Sequence, residues 1–350
     1  MAMDAWGQKD TQPRTRSDRD AWIEETAAES EETFDGASIS AFADDYRGML
    51  ILDRMNEGQP DTDPLHSFAL DELLCRQVGE GGPPIIHLWR HPGAFILGQR
   101  DNRLPHVETA LQQLAVRHYH TAVRNSGGAA VPLDRGVVNV SLIVPIDGSA
   151  SGMRFNHDFE RMYELISLAL SFTGSRVDKG EIAGAYCPGD YDLSIDGRKF
   201  CGIAQRRQAK ALIVQAFVVA EGSGSERAAL VRAFYDAAAG TGASSTEASV
   251  GAGGNGSSNV SVTGSPTEGG TEGAAAAVSH PIVVPDSTAS LEELTTIGAD
   301  ATRTFAERVK AVIRTCQQPD AVADSAARLK LPLTDELEAM IASLHARYKR

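Results

Sequence analysis

The chain contains no Cys-x-x-Cys pair. Its four cysteines, Cys75, Cys187, Cys201 and Cys316, are scattered over 350 residues. That spacing excludes a zinc ribbon and a small disulfide scaffold. Basic residues are also scarce, with 33 Lys and Arg against 47 Asp and Glu, a formal net charge of −14. Such a balance argues against a broad nucleic-acid surface or an anionic-membrane surface. The one local cluster, Arg206, Arg207 and Lys210, reads as a solvated strand end. No stretch approaches the ~20 apolar residues of a spanning helix. No basic segment followed by an apolar run opens the chain, so no signal peptide is expected. A reducing cytoplasm is the expected location, where a free thiolate persists. Dinucleotide and phosphate-loop spacings are missing, as is the G-x-S-x-G elbow that a serine hydrolase built on Ser126 would need. No metal and no cofactor is expected.

What is present is a patterned sequence interrupted twice. Residues 1–45 are polar, acidic in patches and without sustained periodicity, which reads as a disordered tail. Residues 241–279 are almost all Gly, Ser, Thr, Ala, Val and Asn, with no aromatic and no Lys or Arg. This composition reads as a flexible insert. Between and beyond these, residues 49–52, 85–89, 95–97, 116–124, 136–144, 191–195, 199–204 and 211–220 have strand character. Asp196-Gly197 is a two-residue hairpin signal. Helical spacing marks 66–78, 107–114, the stripe Phe159, Met162, Ile166 and Leu170, and 225–239. Ser290 and Glu293 form a capping box, and further helices follow around Phe305 to Cys316 and after Thr334. The expectation is one α+β domain over 46–350, a mixed, largely antiparallel sheet covered by helices. Its catalytic core lies at about 80–296 and its C-terminal helices at 299–348.

Candidate chemistry concentrates in 186–207, Y-C-P-G-D-Y-D-L-S-I-D-G-R-K-F-C-G-I-A-Q-R-R. Cys187 lies on a Pro-Gly turn expected over 187–190, and Lys199 opens the second strand of the hairpin. A thiol near a cation is a nucleophile at neutral pH. A buried structural cysteine is the competing reading, and the polar turn argues against it. A simple hairpin pairs Lys199 with Ser194, and an extended strand from there back to Asp190 covers ~13 Å. Contact between Lys199 and Cys187 therefore requires the turn to fold back over the sheet. Cys201, expected to share a face with Lys199 by strand alternation, is the reserve nucleophile, although a packed small hydrophobe is the favoured reading of it. The loop Arg124-Asn125-Ser126-Gly127-Gly128 follows a strand, and its glycines permit close backbone approach to a ligand. An ordinary glycine turn is the alternative. His118 and His120 alternate as a possible metal pair, but no third ligand is evident.

These residues resemble the lipoyl- and octanoyl-transferring enzymes of the biotin/lipoate-protein ligase superfamily. The resemblance rests on the loop 124–128, its continuation to Asp134, and G-V-V-N-V-S at 136–141. It covers about 49–239 and resumes near His280. The segment from Cys187 to Gly202 is similar, more narrowly, to the lipoyl amidotransferases that take octanoate from the glycine cleavage system H protein. The resemblance implies Cys187 as the acyl carrier and Lys199 as the lysine that assists the thiol and binds the acyl carbonyl. It further implies Arg124, Ser126, Gly127, Gly128, Asp134, Asn139 and Gly202 as substrate-binding residues. Two positions depart from the pattern: Ala129, where bulkier residues are frequent, and Leu133, where many ligases have His.

The implied reaction moves an octanoyl or lipoyl group from a lysine of the H protein to a lysine of a 2-oxoacid dehydrogenase lipoyl domain, through a thioester. Alternatives are an octanoyl-acyl carrier protein donor, ATP-dependent lipoate ligation, and a non-catalytic binder of lipoyl domains. A cysteine beside a lysine argues against the last two.

Overall fold

Alternation along two long strands sets the architecture. In β7 (Val137–Pro145) the even positions Val138, Val140, Leu142 and Val144 enter one core, while Val137 and Ile143 enter another. In β11 (Ala211–Val219) Leu212, Val214, Ala216 and Val218 join the first core, and Ala211 and Ile213 the second. A strand buried on both faces in this way belongs at the centre of a sheet covered on both sides.

The computed structural model describes residues 23–24, 43–56, 62–146, 155–240 and 280–348. Its main sheet has eight strands in the order β1-β2-β3-β7-β11-β10-β9-β8. The partners of β7 and β11 are β1 (Ile23–Glu24), β2 (Leu50–Arg54), β3 (Ile85–Trp89), β8 (Asp178–Lys179), β9 (Leu193–Ile195) and β10 (Arg198–Arg207). Within it only β2 and β3 pair in parallel. A second sheet of three strands has the order β5-β4-β6, from β4 (Gly93–Leu97), β5 (His120–Val123) and β6 (Val131–Asp134). Helices α2 (His66–Gly79), α3 (Val107–Val116) and α5 (Gly224–Ala239) supply the core shared with the small sheet. Helices α4 (Phe155–Leu170) and α7 (Ala301–Cys316) cover the opposite face. The α+β class and the largely antiparallel sheet are as expected.

Several boundaries differ from the expectation for physical reasons. The strand expected over 116–124 begins only at His120, because α3 runs on to Val116. His118 then takes a left-handed φ of 62° and donates its N–H to the carbonyl of Ala115, closing the helix. The two histidines therefore do not alternate along one strand. Among the described residues no three His, Cys, Asp or Glu side chains gather to hold a metal. Strand β6, with Pro132 inside it, gave no alternation signal; it survives as an edge strand, where proline is tolerated. Helix α8 (Pro319–Arg328), built of small residues behind a proline at its start, lies within the expected C-terminal helical region but carries no marked apolar stripe of large residues. The tail 1–45 is not wholly irregular: Ile23–Glu24 pairs with Ile51 and Leu52, covering the open edge of β2, and α1 spans Ala43–Tyr46. The segment 241–279 lies outside the described residues.

The hairpin at Asp196-Gly197 forms as expected, with φ of 50° and 75°, the left-handed pair a tight two-residue turn requires. Immediately after it, the register of β10 against β9 slips. Lys199 faces Ser194 and Cys201 faces Leu193, so Phe200 is an extra residue in a β-bulge. The bulge cancels simple alternation. Cys201 turns into the core beneath α4 and α7, whereas Lys199 and Gly202 stay on the other side.

Candidate active site

A cleft of about 370 Å³ opens on the α2 face of the main sheet. Its walls are apolar over much of their extent, with Phe68, Trp89, Val131, Leu133 and Phe217 among the lining side chains. Period-two alternation brings Asn139 and Ser141 of β7 and Gln215 of β11 to the same floor. Cys187 stands in the wall, 8% exposed and at φ 49°, a strained value for a residue with a side chain. The turn expected over 187–190, with Pro188 and Gly189 central, is replaced by one over 189–192 with Asp190 and Tyr191 central: the Asp192 N–H donates to the Gly189 carbonyl at 3.1 Å. Cys187 therefore precedes the turn.

Two donors approach the sulfur. The Ala129 N–H lies 3.3 Å from Cys187 Sγ, and Arg124 Nη2 lies 3.5 Å away. The loop after β5 wraps around the guanidinium to hold it there. Arg124 Nε donates to the Gly127 carbonyl at 3.0 Å, Nη1 to that of Ile96 at 3.3 Å, and Nη2 to that of Ala129 at 2.6 Å. Gly128 makes this wrapping possible. Its φ is 93°, and a Cβ there would sit 2.5 Å from Arg124 Nη2 and 2.8 Å from Cys187 Sγ. Arg124, expected only as a substrate-binding residue, is thus a cation in contact with the thiol. The basic residue that touches the sulfur comes from a loop 63 residues earlier in the chain, so no local spacing signals it.

Lys199 is completely buried and reaches the main chain at the cysteine. Its Nζ donates to the Tyr186 carbonyl at 2.9 Å, the Cys187 carbonyl at 2.6 Å, and Asp192 Oδ1 at 2.8 Å. The segment 186–192 does fold back over the sheet, and all three ammonium donors are occupied. Gly202 beside it is a contact glycine, since a Cβ there would meet Phe217 Cε1 at 2.5 Å. Cys201 is completely buried, its thiol pushed up by burial, and does not line the cleft.

The remaining expected residues divide. Ser126, Gly127 and Asn139 line the cleft, and Ser126 Oγ and Asn139 Nδ2 have no hydrogen-bond partner there. Asp134 does not join them. Its carboxylate takes both Nε and Nη2 of Arg227, at 2.8 and 2.7 Å, and the Gly136 N–H, clamping β6 to α5. Of the two positions that depart from the family pattern, Leu133 adds apolar wall, and Ala129 supplies its N–H to the sulfur.

A polar group under the floor was invisible in the sequence. Asp71, buried on α2, accepts from His87 Nδ1 at 2.8 Å, Ser141 Oγ at 2.6 Å and Gln215 Nε2 at 2.9 Å. These bonds turn the donors of two cleft residues away from the cavity. The basic cluster is likewise spoken for in part: Arg206 pairs with Glu72 at 2.9 Å and Arg207 approaches Asp158 at 4.0 Å.

The lipoyl protein ligase A/B catalytic domain family matches residues 63–252. Among curated relatives, the octanoyl-[GcvH]:protein N-octanoyltransferase of Macrococcus caseolyticus is 46% identical over 175 residues, covering 50% of this chain and 63% of the relative. Its counterpart in Geobacillus kaustophilus is 43% identical over 187 residues, covering 53% and 65%. The aligned region thus spans a little under two thirds of those relatives. In fold, the chain is similar to a lipoate-protein ligase A bound with ATP, with a TM-score of 0.51, 16% identity, and 87% and 96% of the two chains covered. It is equally similar to the bipartite lipoate protein ligase of Thermoplasma acidophilum, with a TM-score of 0.52, 16% identity, and coverage of 87% and 94%.

Proposed function

Because the chain belongs to the lipoyl protein ligase A/B catalytic domain family, we propose that it is an octanoyl-transferring enzyme that carries the acyl group as a thioester on Cys187. One observation carries the reading. The Cys187 sulfur stands in the wall of an apolar cleft, with the Arg124 guanidinium and the Ala129 N–H turned toward it. Thiolate is the nucleophile in acyl transfer, and these two donors are placed where its negative charge sits. The names of the relatives support the glycine cleavage H protein as donor. Lipoyl domains of 2-oxoacid dehydrogenases are the acceptors in this reading.

The steps follow from that arrangement. The Cys187 thiolate attacks the carbonyl carbon of the octanoyl-lysine amide, and negative charge moves to the carbonyl oxygen. Arg124 and the Ala129 N–H, already fixed before the substrate arrives, stabilise that charge without reorganising. The intermediate collapses as the C–N bond breaks, and the departing lysine amine takes up the proton the thiol gave up. The neutral amine of an acceptor lysine then attacks the thioester. The new amide forms, a proton leaves, and Cys187 is expelled as thiolate. One amide replaces another, so the exchange needs no ATP. The thioester step is uphill from an amide, which makes acyl-enzyme scarce with this donor. The apolar walls bind the chain by burial at ~0.8 kcal/mol per CH₂. Ser126 and Asn139 offer unpartnered polar groups toward the acyl head. Residues 46–350 are read as one catalytic unit, supported by the packing of the late helix α7 on the same sheet.

The test presents the full chain with octanoylated H protein and octanoyl-acyl carrier protein in parallel, with a lipoyl domain as acceptor, and identifies acylated products by mass spectrometry. Transfer from the H protein, abolished in Cys187→Ala, is the expected result. Undiminished transfer by Cys187→Ala sinks the thioester; transfer from the carrier protein alone replaces the donor.

A further inference from the structure

Asp192 has no part in the chemistry described above, yet it sits at the centre of the structure that holds Cys187. It is 1% exposed in its side chain and paired with the equally buried Lys199 at 2.8 Å. Its second oxygen, Oδ2, accepts the Gly189 N–H at 3.2 Å, and its own N–H donates to the Gly189 carbonyl. Lys199 completes a ring by donating to the carbonyls of Tyr186 and Cys187. The carboxylate therefore ties the middle of the segment 186–192 directly, at Gly189, and its start through the ammonium. A fully buried ion pair is a poor source of stability, since desolvating both charges cancels much of their attraction. Geometry is what this one supplies. Cys187 keeps a left-handed φ of 49°, and such a conformation persists only where surrounding contacts over-determine it.

The geometry points to Asp192 as the positioning residue for Cys187: through Lys199 and the Gly189 N–H, its carboxylate holds the thiol against Arg124 and the Ala129 N–H. This rests on the thioester reading of Cys187 and deepens it. The lock depends on charge. A protonated Asp192 loses its ion pair with Lys199, freeing the ammonium and loosening the two carbonyls it grips. Burial pushes the Asp192 carboxyl up to about 6, against the lowering effects of Lys199 and the Gly189 N–H. The other ionisable groups acting on it are Glu181, which raises it further, and the buried thiol of Cys201 on the Lys199 strand.

The sign of the stability effect separates positioning from folding. A carboxyl raised from its ordinary ~3.9 contributes stability that is fully present below that value and is lost as pH rises through about 6. Acid therefore favours the fold at this group while it loosens the lock. A fall in activity below pH 6 cannot be attributed to Asp192 unfolding the protein.

The experiment measures single-turnover acylation of Cys187 by octanoyl-N-acetylcysteamine, whose thiol departs as the cysteine takes the acyl group. Wild type, Asp192→Asn and Asp192→Glu are compared from pH 5 to 8.5, with thermal unfolding followed alongside. In Asp192→Asn the acylation rate at pH 7.5 is expected to fall tenfold or more, with half-saturating donor changed less than threefold. In wild type the rate falls as pH drops through about 6, where Asp192 takes up its proton; in Asp192→Asn that added acid limb is gone. A rate within twofold of wild type, with the same curvature, overturns the proposal. Should Asp192→Asn lack a cooperative unfolding transition, Asp192→Glu decides. It keeps the charge but lengthens the arm by one methylene, so a tenfold loss with the acid limb retained supports positioning, and a wild-type rate refutes it. Failure of the underlying reading shows in wild type alone, as the absence of a hydroxylamine-labile octanoyl group on Cys187.

Discussion

Adding one carbon at Gly128 should damage the site more than it damages the fold. An added Cβ would lie 2.8 Å from Cys187 Sγ and 2.5 Å from Arg124 Nη2, at a φ of 93°. Ordinary contact distances are about 3.5–4.0 Å, so each neighbour must retreat by roughly 1 Å or the loop must unwind. The left-handed backbone costs about 1–2 kcal/mol for a residue with a side chain, and crowding of this kind about 1–3 kcal/mol. Together these predict a fall in melting temperature of roughly 4–20 °C, at ~2–4 °C per kcal/mol for a chain somewhat smaller than this one. The larger effect is on chemistry. Misplacing a reacting group by ~1 Å costs about a hundredfold, so Gly128→Ala should acylate Cys187 roughly a hundred times more slowly. Single-turnover acylation and calorimetry read the two effects separately. Gly127→Ala is the paired control, because nothing lies within 4 Å of a Cβ at that position; its melting temperature and its iodoacetamide reactivity at Cys187 should match wild type. Wild-type acylation by Gly128→Ala would refute the claim that Arg124 and the sulfur meet through this glycine. An equal loss of stability in Gly127→Ala would show that the loop, not the contact, sets the cost.

Two further outcomes follow from the same structure. Cys201 is fully buried in the core opposite the cleft, so native protein should take up iodoacetamide at Cys187 and not at Cys201, and Cys201→Ala should retain acyl transfer; peptide mapping of the label checks this, and a label on Cys201 would return it to the site. Replacing residues 241–279 with a short Gly/Ser loop should leave transfer and melting temperature nearly unchanged, because loop length enters closure entropy only logarithmically. The flanking chain ends are close enough for that: His280 stacks on Tyr235 with ring centroids 4.9 Å apart, and only about 7.5 Å of helix separates Tyr235 from Gly240. A collapse in melting temperature would show that the segment packs against the domain.

The sequence by itself determined the local elements. Hydrophobic period identified β2, β3, β7, β9, β10 and β11 of the main sheet, because strands of this length must match their burial to their own repeat, but not the two-residue edge strands β1 and β8. Asp196-Gly197 determined a tight hairpin and Ser290 with Glu293 a helix start, since both signals depend only on neighbouring backbone. Cys187 and Lys199 could be singled out as candidates from residue type and turn chemistry, and the Arg124 loop from its glycines. Tertiary structure decided how they meet. The bulge at Phe200 turned Cys201 into the core opposite the cleft and left Lys199 on the other side, beneath the segment that carries Cys187, a slip set by pairing with β9 and not by composition. The thiol's cation came from Arg124, 63 residues away, and the ammonium of Lys199 went to main-chain carbonyls and Asp192. Asp134 left the site for Arg227, and Asp71 gathered three donors from three different elements. Each of these is a contact between segments distant in sequence. Their partners are chosen by sheet order, register and the need of every buried charge for a counter-charge or donor, and none of those is written in a local pattern.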